Sequence, residues 1–207
     1  MSGRLRVGVL ASGRGTNLQA LLDASSRPEY PAEIALVVAD RERAPALERA
    51  ASAGVPAALL DPKGFGDRAA YDAALTALLE QRGVGLVCLA GFMRILGPAF
   101  VRAWWGRLLN IHPSLLPAFP GLNAQRQALE HGVRVSGATV HFVDEGVDTG
   151  PIVLQAAVPV EPGDTEESLA ARILVEEHRL YPEAVRLFAE GRLEIVGRRV
   201  LVKGDRR

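Results

Sequence analysis

Short apolar runs alternate with segments of helical periodicity along the first half of the chain. The apolar runs are rich in Val, Leu, Ile and Ala, which is typical of buried strands. Four strands are predicted, over Arg6–Ala11, Ile34–Ala39, Val55–Leu60 and Leu86–Ala90. Helices are predicted between them, near Asn17–Ser25, over Pro45–Ala53 and over Asp67–Gln81, the last with Tyr71, Leu75, Leu78 and Leu79 on one face. This alternation predicts a parallel, doubly wound sheet, whose ligands bind beyond the carboxyl ends of the strands.

The second half of the chain has a different pattern. Arg107–Asn110 is a short apolar run that leads into a proline-rich loop, and Ala124–His131 is predicted to be helical. Two further runs alternate as paired antiparallel strands do, Ser136–Val143 and Ile152–Val160. The last helix is predicted to start with Asp164 as its cap and Glu167 completing a capping box, and to bend or break at Pro182. The tail, L-E-I-V-G-R-R-V-L-V, predicts a hairpin with Gly197 in the turn.

These patterns predict one α/β domain over residues 1–207, with a Rossmann-like, doubly wound, mostly parallel sheet and antiparallel strands in the C-terminal half. The chain has no internal repeat, low-complexity segment or linker. We divide the predicted domain into a phosphate-binding half, residues 1–105, and a catalytic half, residues 106–207.

Composition and charge restrict the class of protein. Hydrophobic residues make up 48% of the chain and charged residues 23%, as in an ordinary globular protein. Lys+Arg and Asp+Glu number 24 each, so no basic field is present to attract nucleic acid or an anionic membrane. Cys88 is the only cysteine and is expected to be buried in a strand. The N-terminal apolar stretch is too short for a signal peptide, and no run reaches the ~18 residues of a membrane helix, so a cytoplasmic protein is predicted.

A glycine-rich turn, S-G-R-G-T-N-L, follows the first predicted strand. Gly13 and Gly15 let the backbone approach a ligand closely, and the free N–H groups at the start of a helix favour an anion. Thr16 and Asn17 add polar groups, which suits a monophosphate better than a dinucleotide. A simple tight turn with a helix cap is the alternative. No G-x-x-x-x-G-K-[ST] motif is present, which excludes an ATP-type phosphate loop.

A candidate catalytic trio consists of Asn110 and His112, in the loop L-L-N-I-H-P-S-L-L-P, and Asp148, in D-E-G-V-D-T-G-P. Asn110 offers an uncharged donor, of a kind worth about 3–4 kcal/mol to a developing oxyanion. His112 can donate to the oxyanion when protonated or move a proton when neutral. An ionised Asp148 is expected to raise the pKa of His112. A purely structural role explains His112 equally well in isolation, so the hypothesis depends on the trio occurring together with the phosphate loop.

The sequence gives less support to other histidines as catalytic residues, to a metal site or to a serine nucleophile. His131 is expected to be solvated at a helix end, whereas His141 faces either the site or the core. Asp144, Glu145 and Asp148 form an acidic group, but no H-E-x-x-H motif or Cys/His cluster supports a metal site, so none is predicted. The absence of a G-x-S-x-G motif argues against covalent serine chemistry.

Five motifs together resemble the folate-dependent glycinamide ribonucleotide formyltransferases of purine synthesis. They occur in the family's order and cover almost the whole chain: S-G-R-G-T-N-L-Q-A-L, L-A-G-F-M-R-I-L, L-L-N-I-H-P-S-L-L-P, H-F-V-D-E-G-V-D-T-G-P-I and E-E-H-R-L-Y-P. The H-P-S-L-L-P core by itself is shared with other formyl-folate enzymes. The resemblance implies direct transfer of a formyl group from 10-formyltetrahydrofolate to the amine of glycinamide ribonucleotide, with no metal and no covalent enzyme intermediate.

The resemblance also implies roles for individual residues. Asn110 and His112 would stabilise the tetrahedral oxyanion, and Asp148 would keep His112 protonated and help position a proton-relaying water. The ribonucleotide would be held by Gly15, Thr16, Asn17 and Glu177. The folate would be held by Arg68, Met93, Arg94, Ile95, Leu96, Asn110, Asp144, Glu145, Gly146, Val147 and Asp148.

The chain departs from the family pattern at Gln125, where a histidine is often found, so an acid–base role for that histidine is absent. The nearest alternative function is a 10-formyltetrahydrofolate hydrolase, which uses water as the acceptor but carries an extra N-terminal domain. A methionyl-tRNA formyltransferase would need a C-terminal domain and a basic surface. Another alternative is a non-catalytic nucleotide-binding module that binds NAD through Gly13, Gly15 and Asp40. This hypothesis gives no role to Asn110, His112 and Asp148. A monomer or a homodimer is expected.

Overall fold

A computed structural model of the chain describes residues 3–204. The chain divides into two compact units, of which the first ends at Leu109 and the second begins at Asn110. The prediction of a single domain divided at residue 105 stays a prediction. The predicted α/β class, with a mostly parallel arrangement of strands and antiparallel strands in the C-terminal half, is confirmed by the strand pairings.

The first unit is a parallel sheet with helices. Its strands lie in the order β3-β2-β1-β4, and every pairing that involves β1 or β2 is parallel. The central strands are buried along most of their length, as expected for strands with helices on both faces. Its elements are β1 (Leu5–Ala11), α1 (Thr16–Ser25), β2 (Ala32–Ala39), α2 (Pro45–Ser52), β3 (Ala57–Leu59), a short 3₁₀ helix (Pro62–Gly64), α3 (Arg68–Gln81), β4 (Leu86–Leu89) and α4 (Pro98–Ala103).

The second unit combines antiparallel strands with one long helix. Its strands lie in the order β5-β6-β7-β9-β8, with β6–β7 and β8–β9 antiparallel. Helix α6 packs against β6 and β7 and buries Leu169, Ile173, Tyr181 and Val185. Its elements are β5 (Leu108–His112), α5 (Ala124–Glu130), β6 (Val135–Phe142), β7 (Ile152–Pro159), α6 (Glu166–Ala189), β8 (Leu193–Val196) and β9 (Arg199–Val202), where β5 begins in the first unit.

The predicted terminal hairpin is confirmed, with Gly197 at a φ of 61° between β8 and β9. Cys88 is confirmed as fully buried in β4, and the predicted helix over Asp67–Gln81 corresponds to α3, with Asp67 as its cap. The short helix α4 was not predicted, because six residues show too little periodicity to be recognised.

Two predictions about α6 are wrong. Its cap is Thr165 rather than Asp164, and the capping box is closed by Ser168 rather than Glu167. The carboxylate of Asp164 instead accepts hydrogen bonds from the Arg172 guanidinium and the Glu161 N–H. The predicted break at Pro182 is also wrong, because the helix continues through the proline, where buried residues on both sides offset the missing N–H donor. The alternative, a bend at Pro182, stays a prediction.

Within the described part of the chain, no helix has both the length and the apolar character needed to cross a membrane.

Candidate active site

The predicted phosphate loop joins β1 to α1 in the first unit. Gly15 occupies the cap position of α1 at a φ of 68°, and the helix has neither a side-chain cap nor an acidic residue in its first turn. Thr16 and Asn17 begin the helix and are half-buried. The start of α1 therefore carries no side-chain cap and no negative charge, which suits an anion. The predicted phosphate site at this loop stays a prediction.

Helix α2 supports the same loop from behind. The guanidinium of Arg49 donates from Nε to the carbonyl oxygen of Arg14 at 2.9 Å and from Nη1 to Oε1 of Gln19 at 3.0 Å. A Cβ at Gly15 would lie 3.1 Å from the Cα of Ala46, so a side chain there would meet backbone. Gly15 is thus required both by its left-handed conformation and by the close approach of α2.

Asn110 and His112 lie in β5, not in a loop as the sequence suggested. Residues two apart on a strand point to the same face, so both side chains project from one side of β5. The strand therefore ends two residues beyond the predicted run Arg107–Asn110.

Asp148 lies next to both of these side chains. Its Oδ2 lies 3.3 Å from Nδ1 of His112 and accepts the N–H of Gly121 at 2.8 Å. Its Oδ1 lies 3.4 Å from Nδ2 of Asn110, which is a long hydrogen bond. The backbone of Asp148 has a φ of 54°, a conformation that L residues rarely adopt. The three residues predicted as a trio are thus brought together within the second unit.

His141 is a fourth member of this cluster. It is buried in β6, its Nδ1 lies 2.9 Å from the carbonyl oxygen of Phe142, and its Nε2 lies 3.2 Å from Nδ2 of Asn110. Because a carbonyl only accepts, Nδ1 of His141 carries a proton and donates a hydrogen bond to that oxygen. Nε2 also lies 3.5 Å from Oδ1 of Asp148. The sequence left open whether His141 faces the site or the core, and the structure places it in the site.

The loop after β5 closes back on the same cluster. The carbonyl oxygen of Phe119 lies 2.9 Å from Nε2 of His112, and the hydroxyl of Ser114 donates to the carbonyl of Ala118 at 2.5 Å. Both ring nitrogens of His112 therefore face oxygen acceptors, which suits a doubly protonated ring.

Burial opposes that charge. Burial of the side chain is the largest influence on the pKa of His112 and lowers it. The hydrogen bond to the Phe119 carbonyl and the charge of Asp148 raise this pKa, whereas His141 lowers it. Together these influences place the pKa below its ordinary value. The expectation that Asp148 raises the pKa of His112 is confirmed for that pair, although desolvation of the ring is the larger effect. Burial also raises the pKa of Asp148, but hydrogen bonds from His141 and Gly121 and the charge of His112 outweigh it, so this carboxyl stays ionised.

Apart from Asn110, the residues that the family resemblance assigns to folate lie partly in the first unit and partly in the second. In the first unit Arg68 is exposed at the start of α3, and Met93 and Ile95 are exposed while Leu96 is buried. The Arg94 guanidinium lies 5.0 Å from the centre of the Tyr71 ring.

In the second unit, the turn at residues 144–148 is closed by Asp144. Its Oδ1 accepts the N–H of Gly146 at 3.1 Å and the hydroxyl of Thr149 at 2.6 Å. Glu145 and Val147 are exposed on this turn. Glu177, predicted to contact the ribonucleotide, is buried on α6.

His131 is exposed at the end of α5, as predicted. Among residues 3–204, no group of three or more His, Cys, Asp or Glu side chains is arranged to hold a metal ion.

Comparison with known proteins gives a consistent result. A family described as formyl transferase matches residues 5–185. The phosphoribosylglycinamide formyltransferase of Escherichia coli K12 is 45% identical over 98% of this chain and 95% of its own length. The trifunctional purine biosynthetic protein adenosine-3 of Drosophila pseudoobscura pseudoobscura is 56% identical over 93% of this chain. This chain spans only 14% of the length of that trifunctional protein.

Solved structures agree with the sequence relatives. The crystal structure of glycinamide ribonucleotide transformylase 1 from Symbiobacterium toebii matches with a TM-score of 0.95 and 60% identity, covering 98% of this chain and 95% of that one. A formyltetrahydrofolate deformylase from Pseudomonas syringae pv. tomato matches with a TM-score of 0.89 but 28% identity, covering 97% of this chain and 66% of that one.

Proposed function

Because this chain belongs to the phosphoribosylglycinamide formyltransferases, we propose that it transfers the formyl group of 10-formyltetrahydrofolate to the amine of glycinamide ribonucleotide. The products are formylglycinamide ribonucleotide and tetrahydrofolate, in the synthesis of purines. The observation that carries the proposal is the cluster of Asn110, His112, His141 and Asp148, which joins an amide donor, two imidazoles and an ionised carboxylate.

The cluster suits the addition step of this reaction. The amine of the ribonucleotide attacks the formyl carbon, and the carbonyl oxygen becomes an oxyanion as the C–N bond forms. His112 would donate its Nε2 proton to this oxygen, which replaces the Phe119 carbonyl as the acceptor. Asn110 would give up its 3.4 Å contact to Asp148, the longer of its two side-chain contacts, to bond the same oxygen.

The cluster also supports the proton transfer that completes the reaction. The attacking amine gains a positive charge and must lose a proton, and the folate nitrogen N10 must gain one as its bond to the formyl carbon breaks. Asp148 is held ionised and lies beside Nδ1 of His112, so the negative charge stabilises the imidazolium during this step. A water next to Asp148 would carry the proton from the amine to N10. No bond between enzyme and formyl group is needed.

The ribonucleotide phosphate would bind at Gly15, Thr16 and Asn17. Support comes from the uncapped start of α1 and from the absence of acidic residues in its first turn. Glu177 is proposed as a further contact of the ribonucleotide, since it is a buried carboxylate that suits hydroxyl or amine groups.

For the folate, we propose Asn110, the segment Met93–Leu96 with Arg68, and residues 144–148. The exposed Met93 and Ile95 side chains offer apolar surface to a ring system, and Arg68 offers a charge to a carboxylate tail. A cytoplasmic location and the choice between monomer and homodimer stay predictions.

The experiment that tests this function measures release of tetrahydrofolate from 10-formyltetrahydrofolate with and without glycinamide ribonucleotide. We expect release only when the ribonucleotide is present. Asn17→Asp should raise the KM for the ribonucleotide at least about tenfold, because it places a negative charge beside the phosphate, while leaving the KM for folate unchanged.

Release of formate at the same rate without the ribonucleotide would instead indicate the hydrolase. Binding of NAD without any turnover would indicate a nucleotide-binding module.

A further inference from the structure

Residues 90–97, between β4 and α4, form neither helix nor strand. They include four of the residues proposed to bind folate, and Met93 and Ile95 are 59% and 70% exposed. With no regular secondary structure, the conformation of this segment depends on contacts made by other parts of the first unit.

The first part of the segment is held at two points. The N–H of Met93 donates to Oγ of Ser12 at 2.9 Å. The guanidinium of Arg94 lies 5.0 Å from the centre of the Tyr71 ring, a cation–π arrangement.

The end of the segment is held by a buried carboxylate. Oδ2 of Asp72, on α3, accepts the N–H of Gly97 at 2.6 Å. Gly97 has a φ of −75° and a ψ of 159°, which any residue adopts, so its conformation does not require glycine. A Cβ at this position would lie 2.7 Å from Oδ2 of Asp72 and 3.5 Å from Nε of Arg68. The space taken by the carboxylate therefore explains why a glycine stands at position 97.

Asp72 is costly to bury. It is only 5% exposed, and its Oδ1 makes no hydrogen bond within the described residues. Burial raises the pKa of Asp72 above its ordinary value. The hydrogen bond from the Gly97 N–H and the charges of Arg68 and Arg94 offset only part of this rise. A half-satisfied buried carboxylate destabilises a fold relative to an apolar residue of the same size. Stability alone does not account for an acid at this position.

We infer that Asp72 is a positioning residue for the formyl-folate donor: by accepting the N–H of Gly97, it fixes the end of the Met93–Leu96 segment against α3. The inference rests on the proposed function, since it concerns the surface assigned to folate there. It assigns Asp72 no contact with either substrate.

The test compares Asp72→Ala with Asp72→Asn. The asparagine variant keeps an oxygen that accepts the Gly97 N–H, whereas the alanine variant has none. We expect Asp72→Ala to raise the KM for 10-formyltetrahydrofolate about tenfold or more, leaving the KM for the ribonucleotide within about twofold. Asp72→Asn should restore the folate KM to near the wild-type value. Glu80→Ala, an exposed acid on the same helix, is the matched control and should change neither.

A second readout does not depend on activity. Hydrogen exchange in the ligand-free protein, followed by mass spectrometry, should be faster over residues 92–98 in Asp72→Ala than in the wild type or Asp72→Asn. If Asp72→Ala does not fold, Gly97→Ala replaces it, because its methyl group displaces the carboxylate and should give the same selective rise in folate KM.

Equal rises in both KM values, an asparagine variant as impaired as alanine, or unchanged exchange at 92–98 would each overturn the inference. Failure of the proposed function has a different signature. The wild type would then transfer no formyl group, while the exchange comparison would still decide whether Asp72 fixes the segment.

Discussion

Nδ1 of His112 lies 3.3 Å from Oδ2 of Asp148, yet the pKa of His112 lies below its ordinary value. Burial of the imidazole outweighs the neighbouring negative charge. Burial thus opposes protonation of His112, even though an ionised carboxylate lies beside the ring. An oxyanion formed at Nε2 would add a second negative charge, so protonation of His112 would be favoured most when the tetrahedral intermediate forms.

Replacing His112 with alanine should reduce kcat far more than it weakens ribonucleotide binding. The variant loses both the oxyanion donor and the proton carrier, so kcat should fall by about 10²–10⁴-fold. The ribonucleotide Kd, measured by isothermal titration, should change less than about threefold. An equal loss in both quantities would make His112 a structural residue.

Replacing His141 with leucine should also lower kcat, although less strongly. The change removes the Nε2 atom that lies 3.2 Å from Nδ2 of Asn110 and 3.5 Å from Oδ1 of Asp148. Losing these polar contacts should cost about 1–3 kcal/mol, which corresponds to roughly tenfold to a hundredfold in kcat. Glutamine, with an acceptor oxygen, should recover part of the loss.

The matched control for His141 is Phe142→Leu. Phe142 is the next residue in β6 and is equally buried, but its ring packs against Phe188 of α6. This variant should lower the free energy of unfolding and leave kcat unchanged. If both variants lose stability and activity in proportion, His141 acts only through the fold.

Acidification should destabilise the protein through His112. Its folded-state pKa lies below the ordinary 6.5, so between these two values the unfolded chain binds a proton that the folded chain does not. Stability therefore falls as the pH falls from about 7 toward the folded-state pKa. Asp148 stays ionised across this range, because its pKa is held below 3.8, and adds no slope there.

Urea unfolding of the wild type and His112→Gln at several pH values between 5 and 7.5 checks this prediction. The wild type should lose more stability on acidification than the variant. A wild type that instead gains stability relative to the variant would mean that Asp148, not burial, sets the protonation of His112.

Replacing Gly137 with alanine should destabilise the second unit. A Cβ at this position in β6 would lie 2.0 Å from the carbonyl oxygen of Ala156 in β7, so the paired strands would have to separate. We expect a loss of about 1–3 kcal/mol or more in the free energy of unfolding, measured with urea. Gly66→Ala, where a Cβ would meet nothing within 4 Å, should have little effect. Equal effects of the two changes would contradict the prediction.

Much of the fold could be predicted from the sequence because its parallel strands are continuous apolar runs separated by periodic helices. Local sequence patterns do not show which of two neighbouring residues caps a helix when both are suited to it. Asp164 and Thr165 are both good helix caps, and only the position of Arg172 decides that Asp164 is used in an ion pair. The effect of Pro182 likewise depends on how much apolar surface α6 buries on either side of it.

The candidate site shows the same limit. Asn110, His112 and Asp148 could be selected by residue type and order, whereas His141 could not, because its role depends on which face of β6 it occupies. The register shift between Val140 and His141 obscures the alternation that would have indicated that face. The net pKa of His112 could not be predicted either, since it depends on burial.

The fate of the formyl carbon tests the proposed function most directly. The protein is incubated with glycinamide ribonucleotide and 10-formyltetrahydrofolate labelled with ¹³C in the formyl group, and the label is followed by NMR. We expect the label to appear in the formamide of the ribonucleotide product, at a rate equal to that of tetrahydrofolate release. Label found in free formate, released whether or not the ribonucleotide is present, would contradict the proposal.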